Sequence, residues 1–422
     1  MSRGAGVRPG KQYVVTDEGT VEEVAAQAYG DTSKASLIWG ANQLTSGTVS
    51  RGQTLIIPGE APADRLVGKE PDDLTVLVAG VELKLESARI VRTMDTGADG
   101  WSGRIAWNPG ADANLDRVTR PYGYERAAAY LGNVLQVSGL LYQTLPELTD
   151  KGNIKELVGY SFTADAVDSH VPPPYERQNV TLEQLADELT KPLGIKAVFK
   201  ESGGGPFARV TAHESDTIFS HLSKLATERG LLVSCTEQGD LLFHRALVEG
   251  KPVGTLEEGG QIVTQWKADY DGRKRFHTYK CIQSGSSTAI PIWGVSDSTN
   301  TGPSTVTATD PAVPRSRILT FRADDTTPGN ITDAARWRKN KQIVDALTQE
   351  LPVADWYAPN GELWSVNTLI TVVSPTLGVP KGYNFLIRAV EFILEERRSA
   401  VLHLVPPLAY SRNKDLGDVW SL

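Results

Sequence analysis

Two short runs between residues 74 and 86 alternate apolar and polar side chains, and they constrain the fold more than any other feature. They are Leu74–Val78 and Val81–Glu86. A period of two places one face of a strand on a core and the other in water. Similar runs follow at Ile90–Arg92, Arg104–Trp107, Ala128–Val137, Leu140–Thr144 and Leu157–Phe162. Residues 72–175 are therefore predicted to form a small antiparallel barrel or sandwich.

The pattern changes to helices near Thr181. Thr181 and Gln184 have the spacing of a capping box, and an apolar stripe follows them. A second stripe, Ile218–Ala226, ends before Gly230, a residue suited to the positive φ after a helix. The strands predicted around these two helices are Ile195–Phe199, Phe207–Thr211, Leu231–Cys235 and Leu241–His244. Residues 176–250 are thus predicted to form a compact α+β unit.

Strand patterns return in residues 251–404, which are predicted to form a second β domain. They occur at Gln261–Ala268, Phe276–Gln283, Leu369–Val373, Phe385–Leu394 and Ala400–Leu404. The stretch 284–314 is rich in Ser, Thr, Gly and Pro and is predicted to be a long mobile loop. A helix is expected from Asn330 to about Glu350, with the basic run Arg336–Lys341 on a solvated face. Residues 405–422 are expected to form a polar C-terminal tail.

The first 58 residues have a different order, which is strand, helix, helix and strand. Tyr13–Val15 begins it, and Val21, Val24, Ala25 and Ala28 share a helical face that ends at Tyr29-Gly30. Leu37–Asn42 gives a second helix, and Gly52-Gln53-Thr54-Leu55-Ile56-Ile57-Pro58 closes with a strand. These motifs resemble the LysM family, although Glu18-Gly19-Thr20 replaces its usual turn. Residues 59–71 are punctuated by Pro and Gly and read as a linker.

The LysM resemblance implies a groove for glycans that contain N-acetylglucosamine. Gly19, Thr20 and Asn42 would lie near this groove, which could instead dock a protein partner. Local structure offers a competing explanation, because Thr20 suits a helix cap and Asn42 suits a turn. We favour this explanation for both residues, since cap and turn chemistry alone accounts for them.

Composition narrows the classes of function. The net charge of −8 argues against sequence-independent binding to duplex nucleic acid, which needs a concentrated basic surface. The two cysteines, Cys235 and Cys281, fit neither a metal site nor a dense disulfide scaffold. The N-terminal residues contain no apolar segment typical of a signal peptide. No apolar run is long enough to span a membrane.

Candidate catalytic residues are few and weak. Cys281 and His277 would share one face of a strand, without a helix end to lower the pKa of the thiol. His213-Glu214 begins a zinc-peptidase motif but lacks its second histidine, and Ser215 or Asp216 is expected to cap a helix instead. Gly203–Gly205 is followed by Pro206, which favours a hairpin loop over a dinucleotide site. We therefore predict no catalytic residues, no metal site, no cofactor and no enzyme.

The order of elements from Asp72 to His403 resembles the Mu-like baseplate hub family of contractile phage tails. The resemblance is carried by Leu74–Arg89, by Leu157–His170, and by Thr181–Leu189 with Gly194-Ile195 and Glu214–Leu242. It implies an α+β, mainly β fold, in which two small β-barrels flank an inserted α+β unit behind the LysM-like βααβ domain. It also implies a homotrimer, in which six barrels form a pseudo-six-fold ring.

The resemblance implies a structural role and a set of partners. The ring would join the hexameric tail tube to the trimeric spike and let DNA pass, in the virion of a phage or in a tailocin. Tape measure, wedge and other baseplate proteins would be further partners, and peptidoglycan one through the LysM-like domain. Synthesis in the host bacterial cytoplasm would follow. The alternatives are a LysM-targeted peptidoglycan hydrolase or a peptidoglycan-binding protein.

Overall fold

A computed structural model describes most of the chain, and strands dominate it. The described residues are 11–29, 32, 35, 38, 42, 44, 47–57, 70–150, 152–260, 263, 265–283, 305–323, 330–376 and 378–411. The α+β, mainly β fold predicted from the sequence is confirmed.

The N-terminal residues build two short strand pairs around a helix. The elements are β1 (Lys11–Val14), β2 (Gly19–Thr20), α1 (Val21–Tyr29), β3 (Thr48–Val49) and β4 (Thr54–Ile57). Strand β1 pairs antiparallel with β4, and β2 pairs antiparallel with β3. Of the second predicted helix, only Ile38 and Asn42 are among the described residues, and residues 59–69 of the predicted linker lie outside them. The LysM assignment itself stays a prediction.

The first β unit contains most of the strands that were predicted from alternation. Its elements are β5 (Leu74–Val78), β6 (Val81–Glu82), β7 (Ser87–Thr93), β8 (Gly100–Ala106), α2 (Ala113–Val118), β9 (Arg126–Leu131), β10 (Val134–Thr149) and β11 (Gly152–Ser161). Strands β10 and β11 form a long hairpin whose register runs from Gly139↔Ser161 to Thr149↔Gly152.

The α+β unit follows directly. Its elements are α3 (Ala164–Asp168), β12 (Glu176–Val180), α4 (Leu182–Thr190), a 3-10 helix (Lys191–Leu193), β13 (Ala197–Phe199), β14 (Phe207–Thr211), α5 (Ile218–Glu228), β15 (Leu232–Cys235) and β16 (Leu241–His244). The capping box of Thr181 and Gln184 is present. Thr217 caps α5, whereas Ser215 or Asp216 was expected. Helix α3 contributes Ala166 to the core of this unit, which therefore begins before residue 176.

The second β unit departs from prediction in several respects. Its elements are β17 (Thr255–Glu257), β18 (Lys267–Tyr270), a 3-10 helix (Gly272–Lys274), β19 (Thr278–Gln283), β20 (Thr305–Thr309), β21 (Ile318–Ala323), α6 (Asn330–Asp345), β22 (Leu347–Val353), β23 (Leu369–Ser374), β24 (Val379–Leu394), β25 (Arg398–Val405) and a 3-10 helix (Pro407–Tyr410).

The first two departures concern a loop and a helix end. The end of the predicted loop 284–314 is a strand, because β20 pairs with β19; residues 284–304 lie outside the described residues. Helix α6 ends at Asp345 rather than near Glu350, since β22 pairs with both β18 and β25.

The third departure is at the C-terminus, where residues 405–411 belong to the core. Ala409 and Tyr410 are buried beside Ile343 and Val344 of α6. Apolar contact with α6 therefore holds this part of the predicted tail against the fold, while residues 412–422 lie outside the described residues.

Helix α6 also contradicts the prediction of a solvated basic face. Lys339 is 4 % exposed and Asn340 is fully buried. The Asn340 amide donates to the backbone carbonyls of Leu408 and Ser411, 3.3 and 3.1 Å away. The helix packs against β19 and β20 on one side and against the Pro407–Tyr410 helix on another. Its long basic side chains cover apolar surface with their stems.

In the described part of the chain, thirteen strands of the two β units form one sheet. The two units were predicted as separate barrels, but β7 of the first pairs antiparallel with β24 of the second, from Thr93↔Ala389 to Ala88↔Leu394. An unpaired edge would leave the backbone groups of β7 without partners, and β24 satisfies them. Side chains from both units also share one apolar core.

A polar contact crosses this strand pair. Glu391 on β24 forms an ion pair with Arg89 on β7, and its Oε1 lies 2.9 Å from Nε2 of His403 on β25. Burial opposes ionisation of Glu391, but the His403 contact and the Arg89 charge outweigh burial and hold the pKa of Glu391 below its ordinary value of 4.5. Glu391 therefore stabilises the fold when it is ionised.

We predict that Glu391→Gln lowers the free energy of unfolding at pH 7 by about 1 kcal/mol, because it removes this charge. A lowered pKa gives stability that is present above the ordinary pKa and lost as the pH falls through the folded one. The difference from the wild type should therefore shrink as the pH falls below the ordinary value of 4.5 and through the lowered pKa of folded Glu391. Urea unfolding at several pH values measures it.

The matched control is Glu350→Gln, which breaks a more exposed ion pair with Lys267 in the same sheet. We expect a change below about 0.5 kcal/mol for this control. A Glu391→Gln difference that stays constant from pH 3 to pH 7 contradicts the role given to its charge.

Candidate functional site

The two β units and the α+β unit, which we together call the body of the protein, meet at a polar junction where β7 ends. Ala88 and Ile90 of β7 are buried, and Arg92 lies two residues further along the same face. The guanidinium Nε of Arg92 donates to Oδ2 of Asp99 at 3.1 Å, and an Nη donates to Glu237 at 2.5 Å. Asp99 is 1 % exposed and also accepts the backbone N–H of Thr93 at 2.8 Å. The first β unit is thereby tied to the turn between β15 and β16.

Electrostatics keep this junction charged. Burial by itself would lower the pKa of Arg92, but the charges of Asp99 and Glu237 outweigh burial and raise that pKa above its ordinary value. Arg92 is therefore cationic. Burial raises the pKa of its partner Asp99 above the ordinary value, and the charge of Arg92 and the hydrogen bond from Thr93 offset this only in part, so the ionised form of Asp99 depends on Arg92. A buried ion loses its hydration, so each member of this pair depends on the other.

Met94, the first residue after β7, helps to connect the α+β unit to both β units. The backbone carbonyl of Met94 lies 3.0 Å from Nε2 of His244, which can donate to it. Burial lowers the pKa of His244, so the ring is neutral at pH 7. Asn367 of the second β unit donates to the carbonyl of Arg245 at 3.0 Å and accepts the N–H of Leu247 at 2.7 Å. The segment from His244 to Leu247, which leads out of the α+β unit, is thus hydrogen-bonded to Met94 at the end of β7 and to Asn367 of the second β unit.

Asp95 completes the junction with the second β unit. Arg388 on β24 donates through Nε to both carboxylate oxygens of Asp95, at 3.1 and 2.9 Å. The hydroxyl of Tyr410 donates to the same carboxylate at 2.9 Å. Burial, followed by the charge of Asp95, raises the pKa of Tyr410 well above its ordinary value, so the hydroxyl stays protonated. Three positions within four residues, 92, 94 and 95, therefore bind the first β unit, the α+β unit and the second β unit together.

A cleft of about 600 Å³ lies beside this junction. It is lined by Lys274, Phe276, Gln342, Val344, Asp345 and Arg388. The Lys274 ammonium donates to the backbone carbonyl of Asp345 at 3.1 Å, and Arg388 is paired with Asp95. The polar groups of the cleft are thus engaged in structural contacts, which is typical of a groove between packed elements.

The structure places the three residues of the predicted LysM groove in local hydrogen bonds. The backbone N–H of Thr20 donates to Glu23 at 2.9 Å, and the N–H of Glu23 donates to the Thr20 hydroxyl at 3.2 Å. Gly19 pairs with Val49 in the β2–β3 ladder. The Asn42 amide donates to the carbonyl of Ile38 at 2.8 Å. Cap chemistry thus describes Thr20, whereas Asn42 is helical and bonds to the carbonyl four residues earlier instead of forming a turn. Glycan binding stays a prediction.

The weak catalytic candidates lie in structural positions. Cys235 is 2 % exposed, and burial raises the pKa of its thiol, which favours the unreactive protonated form. Cys281 is fully buried in β19, while Nδ1 of His277 lies 3.0 Å from the carbonyl of Val313. The backbone N–H of His213 donates to Asp216 within a turn. The N–H of Gly203 donates to Glu183, which holds the glycine loop against α4.

The described residues contain no group of three or more His, Cys, Asp or Glu side chains that could hold a metal ion. No helix among them has the length and apolar character that crossing a membrane would require.

Sequence reasoning missed the junction and the exposed tyrosines near Tyr142. The sequence contains one indication of the junction: Arg92 lies on the buried face of an alternating strand, and Asp99 follows seven residues later. An inward charge of this kind needs a counter-ion nearby. Its partners on β24 and at Tyr410 are about 300 residues away along the chain, and no local pattern identifies them.

Two family models match the chain. The family "Baseplate hub protein gp44-like, second domain" matches residues 163–245, which include the α+β unit from α3 to β16. The family "Mu phage baseplate assembly protein GpP, fourth domain" matches residues 327–413, from α6 through the Pro407–Tyr410 helix.

Relatives agree with these matches. The baseplate hub protein gp44 of Escherichia phage Mu is 26% identical over 276 residues, which is 63% of this chain and 70% of the relative. The 43 kDa tail protein of prophage MuSo2 from Shewanella oneidensis has a similar structure, with a TM-score of 0.65, 23% identity, and coverage of 80% of this chain and 99% of that one. A tail protein from Neisseria meningitidis MC58 has a TM-score of 0.65, 16% identity, and coverage of 80% and 96%.

The family models and the relative from phage Mu support the class of structural proteins of the phage-tail baseplate, and the fold agrees with them. The family models, the relative from phage Mu and the structural neighbours support the Mu-like baseplate hub family that the sequence resemblance implied.

We predict that Arg92→Met lowers the free energy of unfolding by about 3–5 kcal/mol, because it leaves Asp99 buried without its counter-ion. The matched control is Glu237→Gln, which neutralises the half-exposed partner of the same arginine and should cost less than about 1 kcal/mol. Urea unfolding followed by tryptophan fluorescence measures both. Equal losses in the two variants would show that burial of Asp99 does not dominate the junction.

Proposed function

We propose that this protein is the structural hub of a contractile tail baseplate, and that three copies form a ring between the tail tube and the spike. The observation that carries the proposal is the single sheet through both β units, fastened to the α+β unit by the junction around Arg92. A sheet paired across two units can transmit force along its hydrogen-bonded strands without an interdomain hinge. The similarity to hub and tail proteins supports the same role.

The ring requires a closed assembly of identical subunits. Most homo-oligomers of soluble proteins have closed point-group symmetry, and a cyclic trimer with two β units in each chain presents six similar units around the axis. Such a ring would match a hexameric tube above and a trimeric spike below, and DNA would pass through its centre. Tape measure, wedge and other baseplate proteins are further proposed partners, and the virion is the proposed location.

We predict that the purified full-length chain is a trimer in multi-angle light scattering, because each copy would supply one third of the ring. The trimer should persist on dilution to about 1 μM, since assembly interfaces in virions bury large surfaces. A chain that remains monomeric at about 100 μM, the concentration range of weak encounters, would contradict the ring.

For the LysM-like domain we propose docking to another tail component rather than glycan binding. The support is local, since Thr20 is engaged with Glu23 and Asn42 with Ile38, so these side chains serve the fold of the domain. A groove for a protein segment can be formed by backbone and apolar groups without them.

We predict that calorimetric titration of the full chain with chitohexaose shows no saturation up to about 1 mM, which corresponds to a binding free energy weaker than about −4 kcal/mol. Binding tighter than this that is weakened by Asn42→Ala would contradict the docking role and restore the glycan groove. Leu247→Ala, far along the chain in the body, serves as the control variant.

A further inference from the structure

The first β unit carries a surface of exposed tyrosines, which we call the tyrosine face and define as Tyr122, Tyr124, Tyr142 and Tyr160. Tyr122 is 87% exposed, Tyr124 53% and Tyr160 39%. Tyr142 connects them, because its ring centroid lies 6.0 Å from that of Tyr124 and 5.9 Å from that of Tyr160. Exposed tyrosines that contact one another are common in protein interfaces, where they supply area at a low entropic cost.

The backbone of this surface is held in an uncommon conformation. Tyr122 has a φ of 58° and Tyr124 a φ of 47°, in the left-handed region that bulky residues seldom adopt. Local strain of this kind persists where the surrounding structure or a function maintains it. The backbone N–H of Leu141 donates to the carbonyl of Glu125 at 2.9 Å, which fixes the end of the tyrosine loop to β10.

Carboxylates border the tyrosine face on one side. The Tyr142 hydroxyl donates to Asp165 at 2.6 Å, and exposed Asp168 is on the same helix, α3. Two arginines lie near this border: Arg126 is half-buried and Arg120 is exposed. Arg126 stacks on the ring of Phe162 at 5.1 Å, and the side chain of Arg120 folds back against Gly123.

The ring geometry favours a protein partner over a sugar or a nucleobase. The planes of Tyr124 and Tyr142 are 85° apart, and those of Tyr142 and Tyr160 are 62° apart. Edge-to-face rings do not offer the flat platform on which successive bases or sugar rings stack. They do form an uneven amphipathic surface that a complementary protein surface can fill.

A second surface, rich in basic side chains, extends from β18 at one end of the large sheet to β21 of a separate three-stranded sheet. We call it the basic face and define it as Tyr270, Arg273, Lys274, Arg315 and Ile318. Tyr270 is 50% exposed and Ile318 is 61% exposed. The three basic residues, which lie between these two in the sequence, are exposed as well. Arg317 donates to the backbone carbonyls of Gly272 and Arg273, which holds the two loops of the face together.

The charge of the basic face is only partly balanced. Arg273 forms an ion pair with Asp271 at 2.8 Å. Asp271 also interacts with Lys274, and exposed Asp269 with Arg273, so these two cations are largely balanced. Arg315 is a further exposed cation of the face. Cations beside an exposed tyrosine and isoleucine would suit a partner that has carboxylates beside aromatic rings.

We propose that the tyrosine face of one copy of this chain docks on the basic face of the next copy. The two faces differ in composition and position: Tyr270 of the basic face is on β18 at one end of the strand order, whereas Tyr142 and Tyr160 are on β10 and β11 towards the other end. Contact between two different faces of identical subunits is heterologous and repeats until a ring closes. This inference depends on the proposed trimer and assigns its interface.

The test measures the mass of the full-length chain across a dilution series by light scattering. Tyr122→Asn removes the most exposed ring and keeps a residue that tolerates the left-handed conformation. We expect a dissociation constant raised by about tenfold or more, as for a central interface residue. Lys191→Glu, on an exposed turn of the α+β unit outside both faces, is the control and should leave the mass unchanged. Compared at a dilution at which the wild type is also monomeric, the thermal midpoints should equal that of the wild type, since the changed side chains are exposed.

Exchanging the charges of Asp168 and Arg315 distinguishes a specific contact between the two faces from a general loss of trimer stability. Asp168→Arg alone and Arg315→Glu alone should each favour the monomer, and the two changes combined in one chain should restore assembly. A trimer unaffected by Tyr122→Asn and by both charge changes would overturn this proposal while leaving the trimeric hub intact. A monomeric wild type would overturn both. Variants that remain trimeric but lose binding to a purified tube or spike protein would assign the tyrosine face to that partner and overturn the proposal.

Discussion

The Arg92 guanidinium enters a region where Asp99 is almost fully buried, and the body of the protein is organised around the compensation of that charge. An ion pair in such a place is not by itself a strong source of stability, because both groups lose their hydration. The ion pair does, however, favour one arrangement of the surrounding elements over others. Only one arrangement of β7 and the β15–β16 turn brings Asp99 and Glu237 to the arginine together, and Met94 and Asp95 then meet His244 and Arg388.

Short-range patterns in the sequence predicted the elements well where one face is buried and the other solvated. The capping box at Thr181 and the stripe that ends before Gly230 are both present, since they depend on contacts within a few residues. Two predictions were wrong, namely that α6 reaches Glu350 and that Thr305–Thr309 belongs to a loop. In both places, pairing with strands distant in the chain decides the structure. A stretch of Thr, Ser and Pro has no strong local preference, so a neighbouring strand can order its end.

The candidate site was less predictable than the fold. Buried Lys339 and Asn340 lie in a helix whose sequence shows no apolar face, because α6 packs against a sheet on one side and a C-terminal turn on another. The joining of β7 to β24 was also hidden, since alternation identifies a strand but not its neighbour. The resemblance to the hub family gave the order of the units, whereas the contacts between them depend on individual side chains such as Arg388 and Tyr410.

The pairing of β7 with β24 has a consequence for synthesis. The two strands are about 300 residues apart, so a ribosome must complete nearly the whole chain before β7 acquires its second neighbour. Until then the nascent first unit exposes a strand edge, which is a site for aggregation and wrong pairing. Contacts of such long sequence separation also slow folding. The polar residues Ser87, Arg89 and Thr93 along this edge would protect the intermediate, and the last strands to emerge complete the sheet.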